Sequence, residues 1–327
     1  MSSLRPVSGT ADEIRDLLLA WDAADDPEPL IIETSGSTGR PKRVALSRDA
    51  MRASALATHR RLGGPGHWEL NLPPTYVAGV QVLYRTIVAG AQATRRYISL
   101  VPTQLMRELK AEDRVAALAR YDAVLIGGGP LHPAIRCEAE ERDIRIVQTY
   151  GMSETCGGCV YDGLPLDGVE MRIEDGQVLL RGPMLFEGYD GDPGRTAEAL
   201  RDGWFHTDDL GSIDDAGRLH IEGRADDVII SGGVKVPARA VATALTAARA
   251  ADAVEVVGVP DSEWGERVVA VVAAREPLEL AALRDLVEPR AWAPRQLIVV
   301  DQLPLLPNGK PDRVAMRALA LEAGQRG

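Results

Sequence analysis

Lysine is nearly absent from this chain: four residues stand against 33 arginines in 327. Three of the four, Lys42, Lys235 and Lys310, lie in glycine-rich or Pro/Gly-flanked turns. A compact ammonium on a flexible stem is not equivalent to a planar guanidinium, so lysine kept at these turns points to a point charge beside a closely approaching anion. Cysteine is equally rare. Cys156 and Cys159 form a CxxC and Cys137 stands alone. With no further Cys or Cys/His pair at ligand spacing, a zinc site is not expected, and two small residues in a pocket wall are. No apolar run approaches membrane-spanning length, so membrane insertion is not expected. The opening Met1–Pro6 leads into no apolar stretch, which predicts no signal peptide and a cytoplasmic protein. A net charge of −11 speaks against broad electrostatic binding of nucleic acid or anionic membrane. An anionic ligand must then be held by local donors, namely backbone N–H groups and a few placed cations.

What is present is material for a large core: 45% of the residues are hydrophobic, enough for one large or two ordinary domains. Ile14, Leu17, Leu18 and Trp21 recur at helical spacing, predicting a helix over 10–24. A short apolar strand at 30–32 runs into a glycine-rich loop, and Ser47 is a plausible N-cap for a helix over 48–62. Strand 98–101, helix 103–119, strand 123–126, helix 133–142 and strand 144–147 follow, the alternation of a largely parallel sheet flanked by helices. From about residue 165 short strands at 169–173, 177–180 and 218–221, separated by Asp/Gly turns, predict a small antiparallel β region. Alternation resumes with helix 237–248, strands 253–259 and 267–273, helix 279–288 and strand 296–300. The expected architecture is α/β: a large N-terminal domain, residues 1–224, and a small α+β domain, residues 225–327.

Three clusters carry chemistry. Thr34, Ser35, Gly36, Ser37, Thr38 and Gly39 precede Arg40-Pro41-Lys42, expected between a strand and a helix. Glycines let the backbone curl so that several N–H groups converge on one anion, and the hydroxyls add donors. The spacing is not that of a Walker A loop, because Lys42 is followed by arginine and not by a hydroxyl residue. Gln148-Thr149-Tyr150-Gly151-Met152-Ser153-Glu154-Thr155 ends a predicted strand, where parallel sheets bind ligands. Glu154 is a candidate Mg²⁺ ligand, since hard cations prefer oxygen and nucleotide phosphates supply the remainder. The third cluster, Gly203 to Gly211 followed by Gly223 to Asp227, reads on spacing alone as ordinary surface turns.

In this order the loops resemble the adenylate-forming superfamily of acyl-CoA synthetases, peptide-synthetase adenylation domains and luciferases. The matching segments are TSGSTGRPK at 34–42, TYGMSET at 149–155, GWFHTDDLG at 203–211, GRADDVIISGG at 223–233 and LPNGK at 306–310. Within it the chain is most similar to the 2-succinylbenzoate–CoA ligases of menaquinone synthesis, through Ser99–Leu105, Val77–Leu83 and Gly232–Pro237.

The resemblance implies ATP, Mg²⁺ and CoA as partners of a small carboxylic acid. The acid attacks the α-phosphate to give an acyl-adenylate, and the CoA thiol then displaces AMP. It implies that residues 34–39 and Lys42 hold the departing phosphates and that Ser153 and Glu154 serve phosphate and metal. Tyr150 would stack on adenine beside Gly127, Gly128 and Gly129, within a nucleotide site that includes Gln148 and Gly151. Asp209 and Arg224 would bind ribose. Lys310 would bridge carboxylate and α-phosphate, Asp226 would be the hinge, and Gly232, Gly233 and Lys235 would meet CoA. Tyr76, Gln81, Arg85 and Thr103 are the candidates for the acid pocket.

Three departures from the pattern carry expectations. The first glycine loop begins at residue 34, so the sheet on that side is expected to be smaller or completed by another chain, and a homodimer is among the expected assemblies. Tyr76 stands where many relatives carry histidine, and Asp208 where glycine is usual. Two alternatives stay open: an adenylating ligase for another acid or a carrier-protein acceptor, and a non-catalytic nucleotide-binding protein.

Overall fold

The computed structural model describes residues 2–34, 42–248, 251, 253–274, 278–306 and 311–324, without the side chains of Asp226 and Ala247. Its contacts divide the chain into two compact units. The first comprises residues 1–174, 179–207 and 213–219, and the second residues 175–178, 208–212 and 220–327.

In the first unit, helix Ala11–Ala23 starts at Thr10, whose hydroxyl accepts from the Glu13 N–H while Glu13 reaches back, a reciprocal capping box. Its apolar stripe buries Ile14, Leu18 and Trp21. Ser47 caps helix Arg48–Leu62 as its position predicts, and Gly63 ends it in the left-handed conformation. Strands Gly66–Glu69, Arg95–Leu100, Ala123–Ile126 and Ile146–Met152 pair side by side, all parallel, and Gly157–Tyr161 and Leu164–Pro165 extend the sheet antiparallel. One face buries Ile98, Leu100, Val124, Ile126 and Ile146 against Leu105, Leu109, Val115, Leu118 and Ala139. These sheet residues all have even numbers, the period of two that places alternate side chains on one face. On this face the α/β reading of the sequence holds.

Two local expectations need correction. The helix over 103–119 is two helices, Pro102–Glu108 and Glu112–Leu118. Ala111 between them is extended (φ −133°, ψ 125°), and Glu112 and Asp113 open the new first turn, where negative charge is favoured by the exposed N–H groups. The glycine loop does not lead from strand to helix. It joins antiparallel strands Leu30–Thr34 and Lys42–Leu46, and only then does Ser47 begin the helix. An apolar helix, Val77–Ala89, lies against strand Gly66–Glu69 and helix Arg48–Leu62.

In the second unit, strands Val228–Ser231, Val234–Pro237, Ala253–Asp261 and Gly265–Ala273 are antiparallel, with Gln296–Val300 parallel to Gly265–Ala273. Val268, Ala270 and Val272 face a core with Val241 and Leu245 of helix Ala238–Ala247. Val269 and Val271 face the opposite core with Met316 and Ala320 of helix Arg313–Gly324. A run that is apolar at every position is thus a strand covered on both sides.

Candidate active site

All four parallel strands of the first unit end at one edge, and part of the candidate set lies at or beyond those ends. The loop after the first strand and the helix after the second are tied together by Gln104, whose amide donates to the Asn71 carbonyl at 3.0 Å. Its carbonyl oxygen accepts the Val101 N–H at 2.9 Å. The third strand passes into Gly127–Gly129. A Cβ at Gly127 would stand 2.6 Å from Thr149 Oγ1, so the neighbouring strand requires glycine there. Gly128 has φ +78°, open to glycine at no steric cost. The fourth strand bulges between Tyr150 and Gly151, where a Cβ would lie 2.0 Å from the Gly157 carbonyl oxygen. Gln148 is held by its backbone, its N–H donating to Asp162 at 3.1 Å, and Tyr150 is half-buried.

A single turn of 3-10 helix, Ser153–Thr155, presents Glu154. Thr155 fixes that turn: its hydroxyl accepts the Met152 N–H at 2.9 Å and donates to the Gly157 carbonyl at 2.7 Å. Ser153 and Glu154 are both buried. Across from them Thr34 and Lys42 are register partners at the loop end of their hairpin. Lys42 Nζ lies 3.9 Å from Glu154 Oε1. The same oxygen accepts a 2.9 Å hydrogen bond from the Tyr189 hydroxyl. Tyr189 was not among the sequence candidates; its only local signal is an aromatic in a Gly/Asp-rich turn after an apolar run. Residues 35–39 lie outside the described residues.

The four acid-pocket candidates differ in burial. Gln81 and Arg85 lie one helical turn apart on Val77–Ala89 and are 1% and 4% exposed. Gln81 donates to the Met51 carbonyl at 3.4 Å, while its own oxygen has no partner among the described residues. Arg85 stacks 4.8 Å over the Trp68 ring and donates to the Tyr161 hydroxyl at 3.4 Å. That hydroxyl also meets Thr58 Oγ1 at 3.0 Å. Beside them His59 is buried, and burial followed by the Arg85 charge depresses its pKa to about 4. Tyr76 is the residue before this helix and is half-buried, whereas Thr103 is exposed on Pro102–Glu108.

In the second unit Arg224 joins two acids, 3.1 Å from Asp208 and 3.5 Å from Asp209. The segment expected to be a surface turn is strand Trp204–Ile213, so these neighbours point to opposite sides, Asp208 exposed and Asp209 buried. Gly232 and Gly233 form a two-residue hairpin turn with φ +58° and +78°, a geometry that glycine pairs favour. Lys235 beside it is exposed, and Asp226 belongs to the single turn Ala225–Asp227. Lys310 lies outside the described residues; Leu305 and Pro311, flanking it, form an antiparallel bridge. Cys156 and Cys159 are buried free thiols, and burial pushes both pKa values up, that of Cys159 to about 12, the state of unreactive buried cysteines.

The model of the AMP-binding enzyme family matches residues 19–190, and that of the AMP-binding enzyme C-terminal domain matches residues 240–310. The chain belongs to the AMP-binding enzyme family. Among relatives of this AMP-binding enzyme is a probable 2-succinylbenzoate–CoA ligase of Mycobacterium tuberculosis. It is 42% identical over 334 residues, spanning 92% of this chain and 87% of the relative. Among solved structures, o-succinylbenzoate CoA synthetase from Bacillus subtilis in complex with its acyl-adenylate intermediate is similar at a TM-score of 0.75. That match has 26% identity and covers 88% of this chain and 68% of that one. The same synthetase with ATP and magnesium ion gives 0.74, again with 26% identity, covering 87% and 68%.

Proposed function

We propose that this AMP-binding enzyme is an ATP-dependent acid–CoA ligase. It forms an acyl-adenylate and then an acyl-CoA thioester, with 2-succinylbenzoate as the acid, a step of menaquinone biosynthesis. The observation that supports this most is the meeting of Lys42 with Glu154 beside the glycine-bearing ends of the parallel strands. A cation and a carboxylate held together at a sheet's carboxyl edge suit a polyphosphate and its counter-ion. One protein carboxylate fits Mg²⁺, which keeps several waters and takes further ligands from phosphates. When bound, the ion neutralises charge on those phosphates.

On this reading residues 34–39 and Lys42 hold the phosphates that leave, with Ser153 beside them. Tyr150, Gly127–Gly129, Gln148 and Gly151 make the adenine side, with the Tyr150 ring to stack on the base. Asp209, steadied by Arg224, accepts from the ribose hydroxyls. Lys310 supplies charge where carboxylate and α-phosphate meet, the kind of preorganised stabilisation that is usually the largest catalytic contribution. Residues 1–224 act as the adenylating domain and 225–327 as a mobile domain turning at Asp226. The exposed turn Gly232–Gly233 lets a narrow pantetheine arm approach, with Lys235 near the anionic end of CoA. Arg85, buried and partnered among the described residues by a hydroxyl and an indole face, suits the second carboxylate that 2-succinylbenzoate retains.

Mass spectrometry of the products formed from ATP, Mg²⁺, CoA and a panel of acids tests this. The expected products are 2-succinylbenzoyl-CoA, AMP and pyrophosphate. Thioesters from benzoate-type or fatty acids, with none from 2-succinylbenzoate, would remove the acid assignment. Absence of AMP with every acid would remove the ligase.

A further inference from the structure

The two contacts on Glu154 fall on a single oxygen. Oε1 accepts from the Tyr189 hydroxyl at 2.9 Å and lies 3.9 Å from Lys42 Nζ. Among the described residues no side-chain hydrogen bond reaches Oε2. Tyr189 is itself fixed from several directions. It lies in the short strand Gly188–Tyr189, paired with Val44 on the strand that begins at Lys42. Its N–H donates to Thr196 Oγ1 at 2.9 Å, and its ring packs edge-on against Phe186 at 5.0 Å. Lys42 and Arg195 stand over that ring at 5.8 and 5.0 Å. The same segment grips the backbone of Glu154, whose carbonyl accepts the Phe186 N–H at 2.9 Å. Residues 186–189 therefore bind Glu154 at two points and the Lys42 strand along its edge.

We propose that Tyr189 is a positioning residue that decides which oxygen of Glu154 is offered to the nucleotide's cation. Its hydroxyl holds Oε1 on the protein side, so Oε2 turns to the site, and it keeps Oε1 from closing fully on Lys42. Without it, Oε1 and the ammonium draw together, since two partly buried opposite charges attract strongly. The carboxylate then offers less to the metal and Lys42 offers less to phosphate. This inference rests on the reading of Glu154 as the metal-binding carboxylate.

The test uses the full chain and Mn²⁺ as a paramagnetic stand-in for Mg²⁺. Free Mn²⁺ is titrated by electron paramagnetic resonance into enzyme with a non-hydrolysable ATP analogue. Glu154→Gln comes first: Mn²⁺ binding unchanged in it removes the metal-ligand reading, whatever Tyr189 does. With that reading standing, Tyr189→Phe, which keeps the ring, is expected to weaken Mn²⁺ binding about tenfold, the scale of a hydrogen bond to a charged group. In turnover the Mg²⁺ concentration for half-maximal rate rises by a similar factor, with a smaller change in kcat at saturating metal. Tyr189→His, whose ring N–H can donate to the same carboxylate, recovers part of the binding and serves if the phenylalanine variant fails to fold. Mn²⁺ affinity at the wild-type level in a folded Tyr189→Phe, even with a lowered melting temperature, overturns the proposal and leaves Tyr189 a packing residue. Loss in Tyr189→His equal to that in Tyr189→Phe also counts against it.

Discussion

Thr34 and Lys42 face each other across one register position of an antiparallel hairpin, so the glycine-rich loop leaves and returns at a single point. Lys42 is the first residue of the returning strand and is already within 3.9 Å of Glu154. The two ends of the loop are thereby held by β pairing, with the second end beside the site's carboxylate.

Replacing Lys42 with alanine should lower ATP–pyrophosphate exchange about 10²–10³-fold, the cost of removing one preorganised charge from a reacting anion. Lys42→Arg should recover little of it, because the ammonium is largely enclosed between Glu154 and the Tyr189 ring and a planar fork needs more room. Exchange at the wild-type rate in Lys42→Ala would rule out phosphate contact by this residue.

Lys310→Ala should separate the half-reactions. Adenylation, read as pyrophosphate exchange, is expected to fall about 10²–10³-fold. Thioester formation from pre-synthesised acyl-adenylate and CoA should retain most of its rate. Equal loss in both steps contradicts a role confined to the first.

His59 makes stability depend on pH. Its folded pKa of about 4 lies below the usual 6.5, because burial and the Arg85 charge disfavour the imidazolium. As pH falls the unfolded chain takes up the proton first. The contribution is therefore complete above about pH 6.5 and is lost progressively down to about pH 4, amounting to about 2–4 kcal/mol across that window. Denaturant unfolding at pH 5 and 7.5 should show about 2 kcal/mol of this in wild type and a smaller difference in His59→Asn.

Gly151→Ala should destabilise the fold by at least about 2 kcal/mol, since its Cβ would collide with backbone that cannot rotate away. Gly129→Ala is the control: its nearest contact would be the Pro102 ring at 3.7 Å, an ordinary distance. Melting temperatures compare them directly, and equal shifts would show that the bulge at Tyr150 and Gly151 relaxes.

Much of this was legible in the chain because local rules and global packing agree. Ser47 as a cap, strand Ala123–Ile126 and strand Gln296–Val300 lie where their residues predict. The long helix over 103–119 failed because an apolar period survives a break at Ala111 unaltered. Strand Trp204–Ile213 was missed because its glycines and aspartates resemble a turn until neighbouring strands supply the ladder.

The order of motifs along the polymer was enough for the family and its nucleotide chemistry, because glycine, hydroxyl and lysine at set spacings have few other uses. It was not enough for Tyr189, which is 35 residues from Glu154 in sequence yet 2.9 Å from it in space. Nor was it enough for the burial of Arg85 or the depressed pKa of His59. Those depend on which side chains helices and sheets bring together from distant parts of the chain, and on how much water that leaves, neither of which a one-dimensional pattern encodes.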